Sequence, residues 1–222
     1  MKSFGYTLAE VLITLGIIGV VAAITIPMLI SKVQLKIFET AFKKEYSTLS
    51  NAINYITTTE QLSECYTYLN VISFDKIQSD CTKLYQNLIK NLDLKPADPN
   101  MYNLYAKRDD VLANGGRSIH KGILYDYYMR ISTPYLLKDG SILFIPGGEH
   151  MAQIVFDVNG KKGPNKWGYD VFWMELSRPA NNPSGNTRLT DEYASLKEKG
   201  GRYPREILRG QPGLDENQPY NW

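Results

Sequence analysis

The sequence predicts an α+β protein in which a long N-terminal α-helix packs on a small antiparallel β-sheet. Residues 11–30 form an uncharged apolar run whose only polar side chains are Thr14 and Thr25. Directly after it, Leu35, Phe38, Phe42, Tyr46, Leu49, Ile53 and Ile56 recur at three- and four-residue steps, the stripe of an amphipathic helix. Far down the chain, strand-like runs are separated by Asp139-Gly140 and Asn159-Gly160, pairs that readily take the positive φ of hairpin turns.

As a helix, residues 11–30 span about 30 Å, the thickness of a bilayer core. Lys2 ahead of them supplies positive charge on the side expected to stay cytoplasmic. An ordinary cleaved signal is the competing reading: Val21-Ala22-Ala23 is a passable small-residue site, and cutting there would start the mature chain near Ile24. Against it, the apolar run continues past Ala23 and passes straight into the helical stripe. Gly16, Gly19 and Pro27 interrupt the run, and Pro27, with no N–H to donate, predicts a kink or local loosening.

Beyond the run, Lys32, Lys36, Glu39, Lys43 and Lys44 lie mainly off the stripe, so this half of the helix lays one face against a sheet. Residues 6–58 as one helix would extend roughly 80 Å. The stretch 61–91 reads as a loop followed by a short helix at 81–92, ended by Pro96 and Pro99. Strands are expected at 123–131, 135–137, 141–145, 151–157 and 169–176. After Ser177, five prolines with many Gly and Asn predict irregular chain, with a short helix near 191–199.

A chain of 222 residues, 43% hydrophobic and 22% charged, can bury one core and is no disordered protein. Its net charge of +2 excludes a strong general attraction to nucleic acid or anionic lipid. Sixteen tyrosines against seven phenylalanines suit a secreted, contact-making surface whose rings pack while their hydroxyls reach water. Cys65 and Cys81 lack metal or redox spacing. In an exported head they can pair, closing a loop of roughly 15 residues worth about 3 kcal/mol; two buried free thiols are the alternative.

Glu10 stands at the edge of the apolar run, where a carboxylate costs on the order of 3 kcal/mol and calls for a partner. Gly5-Tyr6-Thr7-Leu8-Ala9-Glu10 followed by an apolar helix closely resembles the N-terminus of type IV prepilins and type II secretion pseudopilins. The resemblance implies that a prepilin peptidase cuts between Gly5 and Tyr6 and methylates the new amino group on Tyr6. It implies that Glu10 pairs with the charged N-terminus of a neighbouring subunit, and that the stretch from Gly19 to Pro27 either loses helical order within a filament or only kinks. Phenylalanine is more usual at the position of Tyr6. The same resemblance implies the pilin-like fold, with residues 1–5 as leader, 6–30 as transmembrane and assembly helix, and 31–222 as exported head including the amphipathic half of the helix.

A second motif runs from Asp157 to Phe172, DVNGKKGPNKWGYDVF. It resembles a DxNGxxGPNxxGxDxF stretch of pilin-like proteins, some of which bind calcium in a head loop. Asp157, Asn159, Asn165 and Asp170 offer hard oxygen ligands, of which calcium takes six to eight. Three nearby lysines oppose a cation, and turns in which Asn and Asp bond their own backbone are the competing reading.

His120 and His150 sit in no metal array, and the sequence carries no nucleophile elbow or phosphate-binding glycine loop, so no enzyme is indicated. Arg202, Arg205 and Arg209 with Lys197, Lys199, Tyr193 and Tyr203 could meet nucleic acid or form a solvated surface. The expectation is therefore a structural subunit of a pilus or pseudopilus, whose partners are other pilin subunits, the prepilin peptidase and an inner-membrane assembly platform. The alternative is a membrane-anchored binding protein or competence pilin capturing DNA or a surface ligand.

Overall fold

The computed structural model describes residues 5–62, 65, 81–105, 129, 131–147, 152–177, 186–190 and 201–210. Helix α1 is continuous over Leu8–Thr59, with Pro27 inside it. The chain divides into two compact units, Met1–Ile37 and Phe38–Trp222.

Within the first unit, α1 is apolar on every side from Val11 to Ile30. Leu12, Ile13, Leu15, Ile17, Ile18, Val20, Ile24 and Leu29 occupy all angles around its axis and all lie in the open. No polar face exists to turn toward water.

In the second unit the rest of α1 becomes one-sided, burying Phe42, Leu49, Ala52, Ile53 and Ile56. The following elements are α2 (Thr82–Asn91), β1 (Lys95–Pro96), a 3-10 turn (Pro99–Leu104), β2 (Ser132–Leu136), β3 (Ile142–Pro146), β4 (Gln153–Asp157), β5 (Val171–Ser177), β6 (Arg188–Thr190) and α3 (Pro204–Arg209). The strands form one antiparallel sheet in chain order, β1 to β6. This is the α+β, pilin-like layout expected from the sequence.

Period-two alternation divides β3, β4 and β5 between two cores. On one face Leu143, Ile145, Ile154, Phe156, Phe172, Met174 and Leu176 meet the stripe of α1 and Leu84, Tyr85 and Leu88 of α2. Phe42 is central, its ring 4.4 Å from that of Phe172 and 5.5 Å from that of Phe156. On the other face Ile142, Phe144, Val155 and Val171 pack with Met101, Tyr105, Met129 and Trp167. Burial on both faces explains why ILFI and VFWM read as continuous apolar runs.

Several expectations shift. Strand β2 begins at Ser132, three residues earlier than the sequence indicated, and Pro96 sits in an edge strand, where its missing N–H costs no ladder bond. Of the strand expected at 123–131, the described residues are Met129, which is helical, and Ile131, which is in a turn. Strand β6 and helix α3 replace part of the irregular region, while the helix expected at 191–199 lies outside the described residues. Asp139-Gly140 lies in the β2–β3 turn, with Gly140 at φ +91°. Asn159-Gly160 instead opens a longer β4–β5 connection, because Asp157 Oδ1 captures the N–H groups of both Asn159 and Gly160.

Candidate functional site

The sequence singles out an N-terminal processing and assembly segment and a loop with oxygen ligands, and the structure gives each a local geometry. Gly5 and Tyr6 precede α1 and are exposed. Thr7 is the N-cap. Its N–H and hydroxyl donate to Glu10 Oε2 at 2.8 and 2.9 Å, and Glu10 N–H donates to Thr7 Oγ1 at 3.3 Å. This reciprocal capping box satisfies helix-end donors and gives Glu10 partners inside its own chain. The sequence reading sought a cation for Glu10 and passed over the T-x-x-E signature of Thr7-Leu8-Ala9-Glu10.

Further along, the hydroxyls of Thr14 and Thr25 donate to Val11 O and Val21 O, so these two polar side chains are satisfied within the helix. A side chain built at Gly16 or Gly19 would meet nothing within 4 Å, which leaves the backbone open to close approach by another helix. Between Gly19 and Pro27 this single chain stays helical. Among the described residues α1 is the one helix long and apolar enough to cross a membrane.

Cys65 and Cys81 are joined in a disulfide and both are buried. Thr187 donates its hydroxyl to Cys65 O, tying the bridge to the residue before β6. The Cys81 carbonyl accepts the Tyr85 N–H at 2.9 Å at the start of α2. From α2 the Tyr85 hydroxyl reaches β4, donating to Gln153 O at 3.1 Å and accepting from Gln153 N–H at 3.2 Å. The β3–β4 register ends at Phe144–Val155, two residues short of Gln153, so the phenol supplies the bonds that the ladder does not.

The four residues proposed as calcium ligands are brought into one loop. Asp157 Oδ1 accepts from Asn159 N–H and Gly160 N–H at 3.0 and 2.9 Å, and its Oδ2 accepts from the Tyr105 hydroxyl at 2.6 Å. Asp170 Oδ2 accepts from Asn165 N–H at 2.8 Å and Oδ1 from Lys166 N–H at 2.7 Å. Asn159 Nδ2 donates to Gly163 O at 2.6 Å, while its Oδ1 is buried without a hydrogen-bond partner.

Every carboxylate oxygen is thus spent on the chain's own donors, and the side-chain amide oxygens that remain fall far short of a calcium shell. Among the described residues no group of three or more His, Cys, Asp or Glu is gathered to hold a metal. The set does not fit calcium as it stands; it fits an Asx turn at Asp157 and a loop clamped back onto Asp170. Burial pushes Asp157 up to about 7 despite its three donors, and burial also raises Asp170.

The basic cluster is partly structural. Arg202 pairs with Glu39 of α1, and its Nη2 donates to Glu206 O at 3.3 Å. Tyr203 is buried, with the Arg205 guanidinium 5.2 Å from its ring, so that ring is covered rather than offered for base stacking. Lys197, Lys199, Tyr193, His120 and His150 lie outside the described residues.

Two buried acids escaped the sequence reading. Glu45, on the inner side of α1, is pushed up to about 7 first by burial and then by Asp139. Glu175 on β5 is pushed up to about 7 by burial, and its Oε2 has no hydrogen-bond partner. It stands opposite Gln153 of β4, whose Oε1 accepts the Trp173 indole N–H at 2.6 Å. Neither acid follows an apolar or motif pattern that a sequence scan would flag.

No family model, curated protein or solved structure matches this chain.

Proposed function

We propose that the chain is a non-enzymatic structural subunit of a type IV pilus or a type II secretion pseudopilus, made as an inner-membrane precursor and polymerised through α1. The observation that carries this reading is the junction of Gly5 to Glu10 with a helix that is apolar on all sides from Val11 to Ile30. Such a surface demands continuous cover. Lipid supplies it for a precursor, and neighbouring helices supply it in a polymer. In this reading the prepilin peptidase cuts after Gly5 and methylates Tyr6, and an inner-membrane platform drives assembly.

Glu10 then has two successive partners. Before cleavage it closes the capping box with Thr7. After cleavage, the new amino group on Tyr6 of a neighbour competes for the same carboxylate, and a bond in which donor and acceptor are both charged is the stronger of the two.

Mass spectrometry of the processed N-terminus, from membrane and sheared-filament fractions, tests the proposal. N-methylated Tyr6 is expected in both. A start near Ile24, or an uncut Met1, would overturn polymerisation through this helix. Glu10→Ala is expected to insert normally yet be depleted from filaments; unaltered incorporation would remove Glu10 from the assembly mechanism.

A further inference from the structure

We propose that Glu45 and Asp139 form an acid-latched clasp that fastens the β2–β3 turn to α1 and releases it in alkaline solution. Glu45 stands one turn beyond Phe42 on the inward side of α1 and is 3% exposed, at a place where an apolar side chain would be expected. The element facing it is the turn carrying Lys138, Asp139, Gly140 and Ser141. Asp139 organises that turn, its Oδ1 accepting from Ser141 N–H at 3.1 Å and from the Ser141 hydroxyl at 2.7 Å. Lys44 Nζ contacts Asp139 Oδ2 and lies 3.7 Å from Glu45 Oε1, so a single ammonium reaches both carboxyl groups.

One ammonium cannot neutralise two carboxylates, and Glu45, the deeper of the two, is the one that keeps a proton. Burial opposes ionisation of Asp139 as well, yet hydrogen bonds from Glu45, Lys44 and Ser141 hold it well below the usual carboxylate range. Lys44 thus bridges the two acids, and in the clasp the protonated Glu45 donates to the Asp139 carboxylate. The remaining charge on the turn, Lys138, is directed to Asp93 at 3.6 Å and does not contribute. Lys43, the neighbouring cation on α1, is exposed.

The consequence has a definite sign. Because Glu45 in the fold holds its proton to about 7, well above its ordinary value, the clasp is complete in acid and is lost as pH rises through about 7. Deprotonation sends the Glu45 proton to water and turns the donor to Asp139 into a second buried acceptor. Of the clasp's polar contacts, that of Lys44 to Asp139 then remains.

The test uses the full chain in detergent micelles, with carbon-13 labelled glutamate followed by NMR and amide exchange measured at Ser141. In the unmodified protein the Glu45 carboxyl resonance is expected to titrate near 7. Glu45→Gln keeps an N–H donor toward Asp139 at every pH. The Ser141 exchange rate, taken relative to this variant at the same pH, is therefore expected to be near unity in mild acid and to rise about tenfold or more once pH exceeds the midpoint by roughly one unit. Asp139→Asn is expected to lower the Glu45 midpoint. A Glu45 midpoint in the ordinary carboxylate range, a flat exchange ratio, or a midpoint indifferent to Asp139→Asn would each overturn the clasp; the first needs no variant and so stands even if Glu45→Gln fails to fold.

Discussion

Replacing Tyr85 by Phe removes one oxygen atom from a side chain that is 3% exposed, and the cost follows from what that oxygen touches. It is both donor to Gln153 O and acceptor from Gln153 N–H, at 3.1 and 3.2 Å, beyond the end of the β3–β4 register. The substitution leaves two buried backbone groups unpaired. At about 1–2 kcal/mol for each orphaned group, the lower part of the usual range, the expected loss is about 2–4 kcal/mol. The benzene ring keeps its contacts, so no large cavity adds to that figure. Urea unfolding of the full chain in micelles, followed by tryptophan fluorescence, should show a lowered midpoint with an unchanged slope. In a protein of this size the melting temperature should fall by about 5–15 °C. A change below about 0.5 kcal/mol would refute the argument, because surface phenol-to-phenyl changes lie in that range.

Reducing the Cys65–Cys81 bridge, or replacing both cysteines by Ser, should lower stability by about 3 kcal/mol, measured as a shift in melting temperature with and without reductant. Gly160→Ala should destabilise by about 2 kcal/mol or more. Gly160 has φ +65°, and an added Cβ would lie 2.4 Å from Gly140 O, so equal unfolding midpoints for variant and parent would exclude that contact. Glu175, held near 7 by burial, favours its protonated form in the fold. It should contribute stability on the order of 3 kcal/mol below its unfolded pKa that is lost as pH rises through about 7. Melts between mild acid and mild alkali should show a shallower pH slope for Glu175→Gln than for the parent.

What was legible in the sequence was local. The all-round apolar run and the stripe that follows need only the 3.6-residue period, and Phe42, Leu49, Ile53 and Ile56 are indeed buried in α1, beside Glu45, Ala52 and Thr57. Strands β3, β4 and β5 were legible because each is a dense apolar run bounded by turn residues. Helix α3 was hidden by reading Pro204 as a breaker. It sits at the first turn, with Glu206 accepting the Tyr203 N–H and left-handed Gly210 at the end, so the same letters are start and stop signals. The Tyr85 contact to Gln153 and the Glu45 contact to Asp139 join residues far apart in the chain, and no spacing announces them. The loop from Asp157 to Asp170 left calcium and turns both open in the sequence, because its oxygens can be counted there while the direction of neighbouring N–H groups cannot.

The chain-order arrangement of the sheet also sets a schedule for synthesis. Each strand finds its partner in the segment made just before or just after it, so the sheet can zip up progressively. Helix α1 has no such luck: Phe42 leaves the ribosome among the first residues of the head, yet the rings of Phe156 and Phe172 that cover it come from β4 and β5. Until those strands are made, the stripe is bare and adhesive. A chain interrupted before β4 is accordingly the most hazardous truncation of this protein, retaining the whole helix without either of the rings that cover Phe42.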